Sequence, residues 1–252
     1  VSEQGSRRHG VWLTEPSAAA VEMAQLAGYD TVVLDIEHGL FDLAALDWII
    51  PFVRAKGMDV IAKVLGPERG PIQQALDFGA NAVAIPHVES VEHAARVCGY
   101  AKFPPLGDRS FAGGRTSGYR GFTDEWVARQ DRGTRCYPMI EDASAFGDID
   151  AILGLPVVDG VFVGPSDLSL RRERGAYSVS EADLEDVRHL ARAARSAGKP
   201  WVLPAWSQAE QRLAVEEGAE TIIAIMQYGA LLSGFAGTLD ALREIENDLR
   251  SR

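Results

Sequence analysis

Apolar residues along this chain follow two alternating rhythms. Short runs rich in β-branched residues read as strands: 10–13 (GVWL), 31–38 (TVVLDIEH), 59–64 (DVIAKV), 81–88 (NAVAIPHV), 135–141 (RCYPMIE), 159–168 (DGVFVGPSDL), 200–205 (PWVLPA) and 221–226 (TIIAIM). Longer segments of helical period follow each, at roughly 16–27, 43–56, 69–78, 90–101, 142–153, 181–197, 207–217 and 230–250. A weak repeat marks the second, fourth and eighth units: AGYDTVVL, FGANAVAI and EGAETIIAI. In each a glycine ends a helix, a short turn follows and an apolar strand begins. Alternating strands and helices with parallel crossovers make an α/β protein. Eight units in 252 residues suit a single (β/α)8 TIM barrel domain over 1–252. A doubly wound open sheet is the competing arrangement, but the first βα turn, WLTEPS, lacks the glycine-rich dinucleotide fingerprint.

One segment breaks the rhythm. Residues 103–133 separate the fourth helix from the fifth strand and are rich in Gly and Arg, with Phe111, Tyr119, Phe122 and Trp126 interspersed. A loop of this length reads either as a surface excursion with a short helix or as an active-site or subunit-contact segment.

A barrel concentrates its chemistry at the C-terminal ends of its strands. Those ends carry His38, Lys63, Pro86 with His87, Glu141, Asp167, Trp206 and Gln227. A lone acid at a strand end is most often simply solvated. Glu141 and Asp167 end neighbouring strands, and two close carboxylates repel unless a proton or a cation intervenes. Oxygen ligands favour Mg²⁺ or Mn²⁺ over Zn²⁺, and Mg²⁺ commonly takes only one or two carboxylates beside waters and substrate. The pair therefore points to a divalent metal. His38 is a candidate acid/base, with Asp35, Glu37 or Asp77 as its orienting carboxylate; the residue order leaves that choice open.

Composition narrows the partners. The chain is 46% hydrophobic and 24% charged, with a net charge of −11, which disfavours nucleic acid and anionic membranes. Two cysteines, Cys98 and Cys136, make neither a disulfide framework nor a metal-ligand spacing, and a reducing cytoplasm is the simplest compartment. No apolar run is long enough to span a bilayer, and VSEQGSRRHG lacks the apolar core of a signal peptide.

The segments GYDTVVLDIEHG, QQALDFGANAVAIPHVESVEHAARV, PPLGDR, MIED and VDGVFVGPSDLS, in this order, resemble the HpcH/HpaI aldolase family of metal-dependent class II pyruvate aldolases. The resemblance covers roughly residues 10 to 240. It implies a (β/α)8 barrel in a homo-oligomer, often a hexamer or trimer of dimers with the last helix exchanged between subunits. It implies Glu141 and Asp167 as ligands of Mg²⁺, Mn²⁺ or Co²⁺, His38 as acid/base and Asp77 as the carboxylate that raises its basicity. Substrate binding falls to Ser166, Asp167 and the positions of Lys63 and Met139. The implied substrate is a 2-oxo acid or related carboxylate, with an aldehyde or acyl acceptor. Four departures stand out. Lys63 replaces the family's arginine, Met139 its glutamine, Gln227 a usual acidic residue, and Ser110 the last glycine of a GxRG turn. Lysine is a point charge without arginine's planar fork. A citrate-synthase-like or decarboxylating condensation is an alternative on the same scaffold. Further alternatives are a Schiff-base role for Lys63 and a non-catalytic metal- or ligand-binding barrel.

Overall fold

The computed structural model describes residues 7–251. Eight parallel strands close into a barrel in sequence order: β1 Arg8–Leu13, β2 Thr31–Asp35, β3 Asp59–Lys63, β4 Ala82–Ile85, β5 Arg135–Ile140, β6 Val161–Val163, β7 Trp201–Pro204 and β8 Thr221–Met226. The helices are α1 Ala18–Leu26, α2 Leu43–Ala55, α3 Arg69–Asp77, α4 Val91–Gly99, α5 Asp124–Gly133, α6 Ala143–Gly147, α7 Ile149–Leu153, α8 Pro165–Arg171, α9 Glu181–Ser196, α10 Gln208–Glu216 and α11 Gln227–Arg250. The (β/α)8 barrel expected from the periodicity is the observed fold, and the open sheet is not. Helices start where a side-chain oxygen can take a free backbone N–H: Ser17, Asp42, Ser90, Thr123, Ser180 and Ser207 all do so.

Two apolar layers hold the barrel. Alternate strand residues such as Val32, Leu34, Val60 and Ala62 face outward into the helices. Their neighbours Val33, Ile61, Ala84, Tyr137, Met139 and Phe162 fill the interior. The period of two carries the interior face onward to the last strand positions, where it becomes polar.

The boundaries differ from the sequence reading in one informative place. Residues 159–168 read as one strand, yet β6 is only Val161–Val163 and Pro165 opens α8. Proline suits the first turn of a helix, where no N–H is needed. Asp167 therefore rides on a helix's first turn rather than on a strand.

The 103–133 segment contains α5 and a short 3-10 turn, Arg115–Ser117. Phe103, Phe111, Phe122 and Trp126 form an aromatic cluster with centroids 4.3 to 6.4 Å apart. Arg115 ties the segment to α2. Pro51 has no N–H to give the carbonyl of Asp47, and Arg115 Nη1 donates to that oxygen at 3.0 Å while Nη2 reaches the Asp47 carboxylate at 2.9 Å. None of these aromatic residues lines the cavity at the strand ends.

Candidate active site

A cavity of about 230 Å³ opens at the C-terminal mouth of the barrel. Strand register builds its charged side. β2 and β3 pair with Asp35 opposite Lys63, and both point inward in line with Val33 and Ile61. Lys63 Nζ donates to Asp35 Oδ1 at 3.2 Å and makes a closer contact with Glu37 Oε2. Two of its three N–H donors are thus used, leaving one. A lysine held in two ion pairs is not the free amine that a Schiff base requires. Asp35 is fully engaged: Oδ2 accepts Trp12 Nε1–H at 3.1 Å and Oδ1 accepts the His38 backbone N–H at 3.2 Å.

Glu37 connects three residues. Its Oε1 lies 2.5 Å from His87 Nε2, and its Oε2 lies 3.5 Å from His38 Nε2. Burial pushes its carboxyl upward, but Lys63 and the two histidines outweigh that and hold it below the ordinary glutamate value. His38 itself is exposed at the mouth, with 68% of its side chain accessible.

Glu141 follows β5 and is buried, with its side chain only 4% accessible. The backbone N–H of His87 donates to its Oε1 at 2.7 Å, and His87 Nδ1 lies 3.4 Å from the same oxygen. His87 reaches this pose in the left-handed region, at φ 59°. Burial raises the Glu141 pKa despite these donors, and the charge of Asp167 raises it further. Asp167 lines the cavity without a hydrogen bond or ion pair of its own among the described residues. Gly164 makes room for Glu141 and Met139: a Cβ there would stand 2.8 Å from both Glu141 Cβ and Met139 Cε. A buried, repelled carboxylate with one oxygen committed, beside a free one, is a donor set suited to a hard divalent cation. Among the described residues no cluster of three or more His, Cys, Asp or Glu side chains is placed to hold a metal.

A family model matches residues 8–230. The chain belongs to the HpcH/HpaI aldolase/citrate lyase family. A 2-dehydro-3,6-dideoxy-6-sulfogluconate aldolase of Pseudomonas putida is 31% identical over 160 residues, which is 64% of this chain but only 63% of that protein. A 5-keto-4-deoxy-D-glucarate aldolase of Salmonella arizonae is 30% identical over 239 residues, covering 93% of this chain and 92% of its own length. The crystal structure of an HpcH/HpaI aldolase from Desulfitobacterium hafniense DCB-2 superposes with a TM-score of 0.87 at 27% identity, covering 95% of this chain and 93% of that one. The protein is thus an aldolase-type lyase of the HpcH/HpaI class, and its family is generally dependent on a divalent metal.

Within this aldolase the structure gathers His38, Lys63, Met139, Glu141, Ser166 and Asp167 around one cavity. Asp77 is not among them. It closes α3, and its carboxylate accepts from Arg109 Nη2 at 2.8 Å. The expected pairing of Asp77 with His38 is not met within the chain. α3 runs back from the strand ends, and nine residues at about 1.5 Å each carry its end roughly 13 Å away. Glu37 stands beside the His38 imidazole instead. Gln227 donates to Glu15 rather than facing the charged side. Sequence reasoning gave no role to His87, Trp12 or Met226. His87 had a signal in its strand-end position; the other two read simply as apolar strand residues.

Proposed function

We propose that Glu141 and Asp167 hold Mg²⁺ or Mn²⁺, with Co²⁺ as a competent substitute, and that the protein cleaves or forms the bond next to the enolate carbon of a pyruvate-like 2-oxo acid. The observation that carries this reading is the meeting of a buried Glu141, a free Asp167, Lys63 and His38 at one barrel mouth. When bound, the cation supplies Lewis acidity toward the keto group and charge compensation during bond cleavage. Lys63 offers its one remaining N–H to a substrate oxygen while its carboxylate partners keep it in place. Ser166, in the first turn of α8, lines the cavity and borders the place for the substrate carboxylate. His38 exchanges the proton of the hydroxyl or its bridging water, with Glu37 beside it to stabilise the charged imidazole. His87 acts indirectly, clamping Glu37 and Glu141 to each other.

The assembly belongs to the same proposal. α11 exposes Tyr228, Leu231, Phe235, Leu239, Leu242, Ile245 and Leu249, spaced three or four apart along one stripe. Such a stripe on a 24-residue helix supports packing against other subunits in a homo-oligomer, with this helix exchanged. Both cysteines are buried and free, as suits a reducing cytoplasm. No helix among the described residues is long and apolar enough to cross a membrane.

The test is hydrogen exchange at the methyl group of pyruvate in D₂O, followed by NMR. Chelator-treated protein should exchange nothing above buffer, and Mg²⁺ or Mn²⁺ should restore exchange. Full exchange by metal-stripped protein would overturn the assignment of Glu141 and Asp167.

A further inference from the structure

The two sides of the catalytic cavity differ in chemistry. Asp35, Lys63, Glu141 and Asp167 line it from the ends of β2, β3, β5 and β6, with Met139 beside Glu141; Trp12, Trp206 and Met226, on or just after the neighbouring strands β1, β7 and β8, make an apolar wall. The indole of Trp12 meets that of Trp206 edge to face at 6.0 Å and rests on Phe162 at 6.0 Å, so the wall is braced by ring contacts. Its polar atoms are largely spent. Trp12 N–H is on Asp35, and Met226 Sδ accepts Tyr228 O–H at 3.0 Å. Lys63, the one lysine or arginine lining the cavity among the described residues, is bound to two carboxylates.

Any group that extends from the reacting carbons toward this wall meets carbon. A chain of hydroxyls there would lose water and find few partners. A second carboxylate would meet no uncommitted cation and several like charges.

We propose that this wall makes the enzyme selective for 4-hydroxy-2-oxo acids whose C4 substituent is aromatic or bulky aliphatic, and selective against polyhydroxylated or doubly anionic chains. The inference rests on the lyase reading above. In the cleavage direction the C3–C4 bond breaks and its electron pair stays on C3. The C4 hydroxyl loses its proton toward His38 and C3 takes one up, releasing an aldehyde and pyruvate. No oxidant, reductant or co-reactant is required.

Two measurements on the Mg²⁺-loaded full chain test it. Calorimetry compares 2-oxo-4-phenylbutanoate with 2-oxoglutarate, neither of which carries a C4 hydroxyl to cleave. The phenyl acid should bind at least about tenfold more tightly, the scale of burying one large apolar group. Cleavage assays compare 4-hydroxy-2-oxo-4-phenylbutanoate with a six-carbon polyhydroxylated 3-deoxy-2-oxo acid, and kcat/KM should favour the aryl substrate by about tenfold or more. Trp206→Ser and, separately, Met226→Thr should each shrink both preferences; preferences that survive in both variants would overturn the assignment to this wall. If pyruvate exchanges its methyl protons but 2-oxoglutarate binds as well, or the polyhydroxylated acid is cleaved faster, the selectivity is wrong and the lyase reading stands. If no exchange or cleavage occurs with any metal, the lyase reading falls and calorimetry alone decides: a tenfold preference upholds the apolar wall, and its absence overturns it.

Discussion

The two mouths of the barrel hold opposite charge arrangements. At the N-terminal mouth a cavity of about 250 Å³ is lined by Arg8, Asp59, Arg132, Arg135 and Glu220 among others. Its acids are matched: Asp59 pairs with Arg8 and Arg54, and Glu220 pairs with Arg135 at 2.5 Å. At the C-terminal mouth Asp35, Glu37, Glu141 and Asp167 share one lysine and two histidines, and Asp167 has no ion pair among the described residues. Balanced charge closes a surface, whereas surplus buried negative charge is stable only if a proton or cation joins it. The cavity with unspent carboxylates is therefore the one read as chemical, although the other is slightly larger.

The sharpest way to break this contrast is at Glu141. Glu141→Ala should abolish pyruvate proton exchange and weaken metal binding by more than about 100-fold, beyond the loss typical of an outer-sphere partner; calorimetry with Mn²⁺ reads the affinity. Unchanged affinity would move the metal elsewhere. His38→Ala should lower turnover by about 10²–10⁴-fold while metal affinity holds, and an unaltered rate would return His38 to a loop role. Gly164→Ala should lower stability by about 1–3 kcal/mol through crowding of Glu141 and Met139, seen in denaturant melts.

Two smaller effects sharpen the comparison. Glu37 is held below its ordinary value, so its ionised form favours the fold: that stability is present above the unfolded value and is lost as pH falls through the folded one. The gap in melting temperature between the parent and Glu37→Gln should therefore be widest near neutrality and close below the ordinary value of 4.5. Asp59→Asn, at the opposite mouth, should change stability by about 1 kcal/mol or less because its partners are partly exposed. Its turnover should match the parent, and a catalytic defect there would sink the contrast between the mouths.

Much of this was legible in residue order. Alternating periods of two and 3.6, with glycines at helix ends, carried the eight units and therefore the barrel, since local patterns decide which face of each element is apolar. Strand-end position picked out His38, Lys63, Glu141 and Asp167, because parallel strands all end at one mouth. What residue order left open was partnership. Asp35, Glu37 and Asp77 were equal candidates to orient His38; only the packed chain put Glu37 beside the imidazole, Asp35 on the backbone and Asp77 on Arg109. The strand reading of 159–168 failed because an apolar run does not reveal where a proline will start a helix. Likewise Trp12 and Met226, from the first and last strands, became one wall with Trp206 only when the barrel closed. The reason is physical: periodicity is set by neighbours a few residues apart, whereas ion pairs and cavity walls join residues far apart in sequence whose distances exist only after closure.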